Sequence, residues 1–239
     1  MTPDDLPPDD LDRRLLYRDA LMLVIDKPSG LPVHAGPGGG PNLEDLFDGL
    51  RFGLPRPPAL AHRLDRETSG CLVLGRHRKA LRKLGRLFSE GLVEKTYWAI
   101  TLGQPADDQG RIELGLVKEA RRQGWRMVVS SQGQPSVTEW RVLARSNGQA
   151  LLELRPLTGR THQIRVHCAA MGFPLAGDWA YGQEGPRPTH SLLLHARRIV
   201  LPLYPSRPPV AIEAPLPEPF RRRVQELGMA LPQDGDAAA

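Results

Sequence analysis

The stretch from Ala61 to Gly75, AHRLDRETSGCLVLG, constrains this chain more than any other. Four ionisable side chains, His62, Arg63, Asp65 and Arg66, occupy five positions, and Leu64 is the only apolar residue among them. A Thr-Ser-Gly turn follows, and Cys71-Leu72-Val73-Leu74 then reads as a short buried strand. The fold must therefore carry a charged loop at the mouth of a core strand. A carboxylate set between two arginines is favoured in its ionised form, which suits an oxygen nucleophile or an anionic base. The same pattern also fits a surface turn with solvated charges, because structural ion pairs cluster in this way.

Around this stretch the chain alternates short strands with a few helices. Leu15–Tyr17 and Leu21–Ile25 read as a hairpin about Arg18-Asp19-Ala20, closed by Pro28-Ser29-Gly30. The GPGGGP run at 36–41 is a loop and not a phosphate cradle, since no Gly-Lys-Ser/Thr follows it. Asn42 caps a predicted helix carrying Leu43, Leu46, Phe47 and Leu50. A second helix is expected from His77 to Glu90, with Ala80, Leu81, Leu84, Leu87 and Phe88 inward. Arg78, Lys79, Arg82, Lys83 and Arg86 take the rest of its surface, as a phosphate-contacting face or an ordinary solvated one.

Lys95 to Leu102 alternates, with Tyr97 opposite the bulkier apolar face. Arg111–Leu114 and Arg126–Ser130 are predicted strands around a basic loop with Lys118, Arg121 and Arg122. Asn147-Gly148 signals a hairpin between strands at 136–144 and 149–155. Thr158 or Thr161 is expected to cap a helix ending near Gly172, and Gly177-Asp178 reads as a turn. Strands at 192–201 and 210–214 and a closing helix at 217–227 complete the pattern. Hairpins without regular strand–helix–strand alternation predict an α+β fold with a mixed sheet. A single domain is expected over 15–227, with a disordered acidic segment at 1–14 and a disordered tail at 228–239.

Charge narrows the partner. Residues 1–12 hold five Asp and no Lys or Arg, which leaves 32 basic against 22 acidic groups in the remainder. A basic body with an acidic tip fits a polyanion, although simple solubility charge gives a similar balance. No apolar run approaches the length of a membrane helix, and the N-terminus lacks the features of a signal peptide. A cytoplasmic protein is expected. The two cysteines, Cys71 and Cys168, make no disulfide framework. His162, His167 and Cys168 invite a metal reading, but the two histidines are five residues apart on a helix and no second ligand pair follows, so no metal is expected.

HRLDRETSG resembles the HRLD-x-x-TSG signature of RluA-type RNA pseudouridine synthases. Four further stretches match that family in order: DKPSGLPVH (Asp26–His34), EKTYWAI (Glu94–Ile100), PLTGRTHQIRVH (Pro156–His167) with GFPLAGDWAYG (Gly172–Gly182), and LLLHA (Leu192–Ala196). The resemblance runs from about Leu15 to Phe220. It implies a bent, mixed and largely antiparallel sheet with flanking helices and a central active-site cleft. It implies isomerisation of specific uridines in structured RNA, ribosomal or transfer, with base flipping and no cofactor.

By the same resemblance Asp65 is the catalytic Asp, acting as nucleophile or base. Tyr97 stacks on the flipped base, and Arg165 is the basic residue that pairs with the Asp. Arg63 is a candidate to fill the space left by that base. His62, Arg66, Thr68 and Arg160 are expected on the substrate side, and Leu193 or Leu194 in the pocket lining. Many relatives carry a separate RNA-binding domain ahead of the catalytic part. Here about fourteen residues precede the first strand, so that module is expected to be missing. The sequence departs from the common pattern at Gly75-Arg76, where Ala-Lys is frequent, and at Cys168, where Leu is. A catalytically silent RNA-binding or chaperone protein on the same fold is the alternative. A monomer is the default expectation.

Overall fold

A computed structural model describes residues 11–36, 39–122, 124–182 and 191–232. In chain order the strands are β1 (Leu15–Arg18), β2 (Met22–Lys27), β3 (Ala59–Leu60), β4 (Ser69–Gly75), β5 (Glu94–Leu102), β6 (Gln109–Ala120), β7 (Trp125–Val129), β8 (Gln134–Ser146), β9 (Gln149–Pro156), β10 (Leu194–Leu201) and β11 (Val210–Glu213). The α-helices are α1 (Arg78–Ser89), α2 (Gln163–Ala170) and α3 (Glu218–Glu226). The architecture is α+β, mixed and mostly antiparallel. The chain forms two compact units, one of Met1–Lys95 with His195–Pro215 and one of Thr96–Leu194 with Leu216–Ala239.

In the first unit β4 is the central strand, buried at all seven positions. β2 pairs with it antiparallel from Met22↔Gly75 to Lys27↔Gly70. β10 lies parallel to it at His195↔Ser69 and Ala196↔Gly70, which makes the sheet mixed. That approach needs a glycine. Gly70 has φ +105°, and a Cβ there would stand 2.3 Å from the Ala196 carbonyl oxygen. α1 covers this sheet with Leu84 and Leu87 against Met22, Val24, Val73, Ile199 and Leu201. Its cap is the His77 side chain, which accepts the Ala80 N–H. The segment after Asn42 does carry a capping box, but it folds as a 3-10 helix over Leu43–Leu50.

The second unit is an antiparallel meander ordered β5-β9-β8-β6-β7. The β8–β9 turn has φ +48° at Asn147 and +70° at Gly148, the conformation that this dipeptide favours. α2 packs Ile164 and Cys168 against Ala99, Leu152 and Leu154 on one side of the meander. α3 packs Phe220 and Val224 against Trp98, Ile100 and Leu151. β6 extends well past Leu114, so Lys118 is a strand residue and not part of a loop. α2 begins at His162 in a left-handed conformation, without a side-chain cap, where a threonine cap was expected. Thr158 instead donates to Gln163 Oε1 at 2.7 Å.

Order reaches further than expected at both ends. Leu11 is buried and Asp12–Arg14 form a 3-10 turn, so the segment expected to be disordered to residue 14 is structured from Leu11. Met229 packs beside α3. The remainder of the acidic segment, 1–10, and the tail 233–239 lie outside the described residues.

Candidate active site

In the first unit the loop from Ala61 to Thr68 is held from below by the Lys27–Leu31 segment. Lys27 is fully buried, and its Nζ donates to the carbonyls of Pro28 at 2.7 Å, Leu31 at 2.8 Å and Arg66 at 3.0 Å. Three carbonyls around one nitrogen match an ammonium; a neutral amine would leave one without a donor. Burial draws this ammonium down to about 7, against the opposing pull of the Glu67, Asp65 and Asp26 carboxylates. Ser29 Oγ donates to the Glu67 carbonyl at 2.6 Å, the Gly30 N–H to the Arg66 carbonyl at 2.9 Å, and Arg66 Nε back to the Gly30 carbonyl at 2.8 Å. The loop is therefore clamped at Arg66-Glu67, immediately after Asp65. A turn bond from the Thr68 N–H to the Asp65 carbonyl, 3.2 Å, closes it. The Asp65 side chain is half-buried on this rigid support, while Arg63 is exposed.

The other side of the loop is fixed by two histidines. His62 Nε2 accepts the Val73 N–H at 3.0 Å, and its ring stacks on Phe88 at 4.5 Å. Burial, aided by the Lys95 charge, lowers its pKa to about 3, so the ring stays neutral. His62, expected on the substrate side, thus fastens the loop to β4 and α1. Thr68 is buried as well. Ser69, the first residue of β4, shares a 2.9 Å hydrogen bond with His195 Nδ1, and His195 Nε2 faces the Ala214 carbonyl at 3.3 Å.

In the second unit Tyr97 lies half-buried beside Leu154, Ile164, Leu192 and Leu194, on the α2 side of β5. Arg165 projects from α2 and is 3% exposed. Its Nε and Nη2 bind the two carboxylate oxygens of Asp178 at 2.8 and 2.7 Å, a buried bidentate pair. Asp178 Oδ1 also accepts the backbone N–H groups of Ala180 and Tyr181, at 3.0 and 3.1 Å. The Arg165 guanidinium lies 5.1 Å from the Tyr181 ring centroid. Asp178 and Tyr181 both lie against Arg165, and the residue pattern alone singled out neither. Both stand in the GDWAYG stretch, where Asp178 reads only as a turn former.

Other expected positions separate. Leu193 packs with Trp98, Ile100 and Phe220 on the α3 side, away from Tyr97, which corrects its expected place in a pocket lining. Leu194 shares the cluster of Tyr97. Arg160 is exposed, with Nε donating to the Pro135 carbonyl at 3.3 Å. His162 Nδ1 meets the Tyr181 hydroxyl at 2.7 Å, His167 Nε2 meets Ser136 Oγ at 2.8 Å, and Cys168 is buried in the core.

The model of the RNA pseudouridylate synthase family matches residues 21–170. An uncharacterized RNA pseudouridine synthase of Zymomonas mobilis is 43% identical over 212 residues, which span 88% of this chain and 96% of that protein. Ribosomal large subunit pseudouridine synthase C of Escherichia coli is 37% identical over 226 residues, 89% of this chain and 69% of its own. The structure of human RNA Pseudouridylate Synthase Domain Containing 4 superposes with a TM-score of 0.80 at 29% identity, covering 94% of this chain and 97% of that one. The clamped HRLD loop, the KTYWA strand and the HQIRVH helix all fall within the matched span, and the chain belongs to the RluA-type RNA pseudouridylate synthases.

Proposed function

We propose that Asp65, Tyr97 and Arg165 carry the isomerisation of uridine to pseudouridine in a ribosomal or transfer RNA, within one catalytic domain over 15–227. The observation that carries this reading is the clamp on the Asp65 loop. Lys27, Ser29 and Gly30 each place a hydrogen bond on the two residues after Asp65, so the backbone that carries its carboxylate is held rigid. In the reaction the C1′–N1 glycosidic bond breaks, the uracil turns, and a C1′–C5 bond forms. The C5 hydrogen leaves as a proton and N1 takes one up, so atoms balance with no redox step. Asp65 attacks the nucleotide or removes a sugar proton. Tyr97 offers a ring for the extruded base and a hydroxyl for proton traffic at C5. Arg165, oriented by Asp178, is the basic residue that keeps the catalytic carboxylate ionised. Extruding the nucleotide costs a few kcal/mol, least in loops and single strands.

The test is release of tritium from RNA labelled at uracil C5. Unmodified bulk transfer RNA and ribosomal RNA are incubated separately with wild type and with Asp65→Asn. Release by wild type alone is expected, and the RNA class that gives it identifies the substrate. Equal release by Asp65→Asn would remove Asp65 from the mechanism. Tight binding with no release from either RNA would favour a silent RNA-binding protein.

A further inference from the structure

Trp125, at the start of β7, is 43% exposed. It is nevertheless well supported. The His162 ring lies against it at 5.3 Å between centroids and 24° between planes. His162 is fixed in turn by a left-handed backbone, φ +53°, and by its 2.7 Å bond to the Tyr181 hydroxyl. That hydroxyl also accepts the Met127 N–H at 3.1 Å, which ties the support back to β7.

The surroundings are cationic. Lys118 Nζ stands 4.5 Å from the indole centroid, and Arg122, Arg126 and Arg160 are exposed nearby in the same hairpin and at the approach to α2. Glu119 is paired with Arg121 at 2.5 Å. The Arg126 guanidinium lies 4.9 Å over Tyr181, the ring that also carries Arg165 at 5.1 Å. Two aromatic residues, His162 and Tyr181, thus link Trp125 to the family's HQIRVH arginine. We propose that Trp125, backed by His162 and Tyr181, is a stacking platform for an unpaired RNA base beside the nucleotide to be isomerised, with Lys118, Arg122 and Arg126 as phosphate contacts. This rests on the reading of the protein as an RNA-modifying enzyme.

The chemistry fits a single strand. Every base has a π-face, so an indole platform tolerates sequence, and flanking cations follow the backbone. An exposed cation–π contact such as that of Lys118 is weak enough for a base to displace. The hairpin also exposes Val117 and Val129, but the side chain set against the indole is the cation Lys118, which favours a polyanion over an apolar partner surface.

The experiment compares wild type, Trp125→Ala and Trp125→Phe of the full chain. Each binds a short oligouridylate and an abasic ribose-phosphate strand of the same length. Trp125→Ala is expected to weaken oligouridylate binding about tenfold, the usual cost of one lost base stack. Trp125→Phe recovers most of it, and neither variant alters affinity for the abasic strand. Unchanged oligouridylate binding in Trp125→Ala, an equal loss on both strands, or no binding by wild type would each overturn the platform. Tritium release is read in parallel. Turnover without dependence of binding on Trp125 sinks the platform and keeps the isomerase reading. Dependence of binding on Trp125 without turnover does the reverse.

Discussion

Lys27 shows how a buried charge far from solvent can serve a reaction it does not enter. Its three donors go to three backbone carbonyls, one of which belongs to Arg66, the residue after Asp65. Lys27→Met keeps the stem volume, takes this donor from the Pro28 and Leu31 carbonyls, and leaves the Arg66 carbonyl with the Gly30 N–H. The expected loss is about 3 kcal/mol of stability, since each buried unsatisfied group costs about 1–3 kcal/mol. Turnover should fall further than RNA affinity, because the loop carrying Asp65 loosens while the cationic surface stays. Urea midpoints and single-turnover tritium release check both; wild-type values in each would mean that the clamp is ornamental. At this scale the sequence was partly legible. Asp65 announces itself by its charged neighbours. Asp178 does not, because its worth depends on Arg165, 13 residues earlier on another element. Lys27 was equally hidden, since nothing local to it tells a fully buried lysine from a solvated one.

Among the elements, α1 was the easiest to read and its surface the easiest to misjudge. The apolar stripe of Ala80, Leu84 and Leu87 is buried as its spacing requires. Its five cations are not equivalent, however. Arg86 is paired with Glu90 at 2.7 Å, and Lys83 lies 5.6 Å from the Tyr204 ring, which leaves Arg78, Lys79 and Arg82 turned to solvent. If α1 meets phosphates, changing these three to Gln should lower the salt slope of RNA binding by about 2, with no change in urea midpoint. An identical slope across a salt titration would assign the face to solubility. Other elements divide by the range of the forces that define them. The Asn147-Gly148 hairpin and the continuous core strand β4 are set locally, and the sequence suffices. The parallel β4–β10 pairing joins residues 126 apart and depends on a close approach at Gly70, which no short-range pattern reveals. The outer half of β6 is exposed from Val117 to Ala120, so it carries no apolar alternation to betray a strand.

For the molecule as a whole, three neutral histidines set the acid limit. His62 accepts the Val73 N–H, so protonation would remove its acceptor. His195 is wedged between Ser69 and the Ala214 carbonyl. His167 meets Ser136 Oγ, whose own hydrogen goes to the Leu114 carbonyl at 2.6 Å, so Nε2 carries the proton and the buried Nδ1 has no hydrogen-bond partner among the described residues. Burial lowers His62 to about 3 and His167 and His195 to about 4, from an ordinary value of 6.5. Between 6.5 and about 4 the unfolded chain therefore binds these protons and the folded chain does not. Stability must fall as pH falls through that window, by about 1.4 kcal/mol per pH unit for each histidine. Two of them lie in the first unit and one in the second, so both units weaken together. Urea midpoints at pH 7.5, 6.5, 5.8 and 5.2 follow this fall, which Asp26, raised to about 6 by burial, offsets in part because it takes up its proton first in the folded state. The curve should decline gently from 7.5, where Lys27 takes up its own proton in the folded state, and steepen below 6.5. His167→Gln, which retains a donor for Ser136, should lower the midpoint at pH 7.5 yet reduce the acid slope by one histidine's share, about 1.4 kcal/mol per pH unit. A wild-type curve that stays level down to pH 5.2 would mean that these rings take up protons without unfolding, and that their neutral hydrogen-bond roles are wrong.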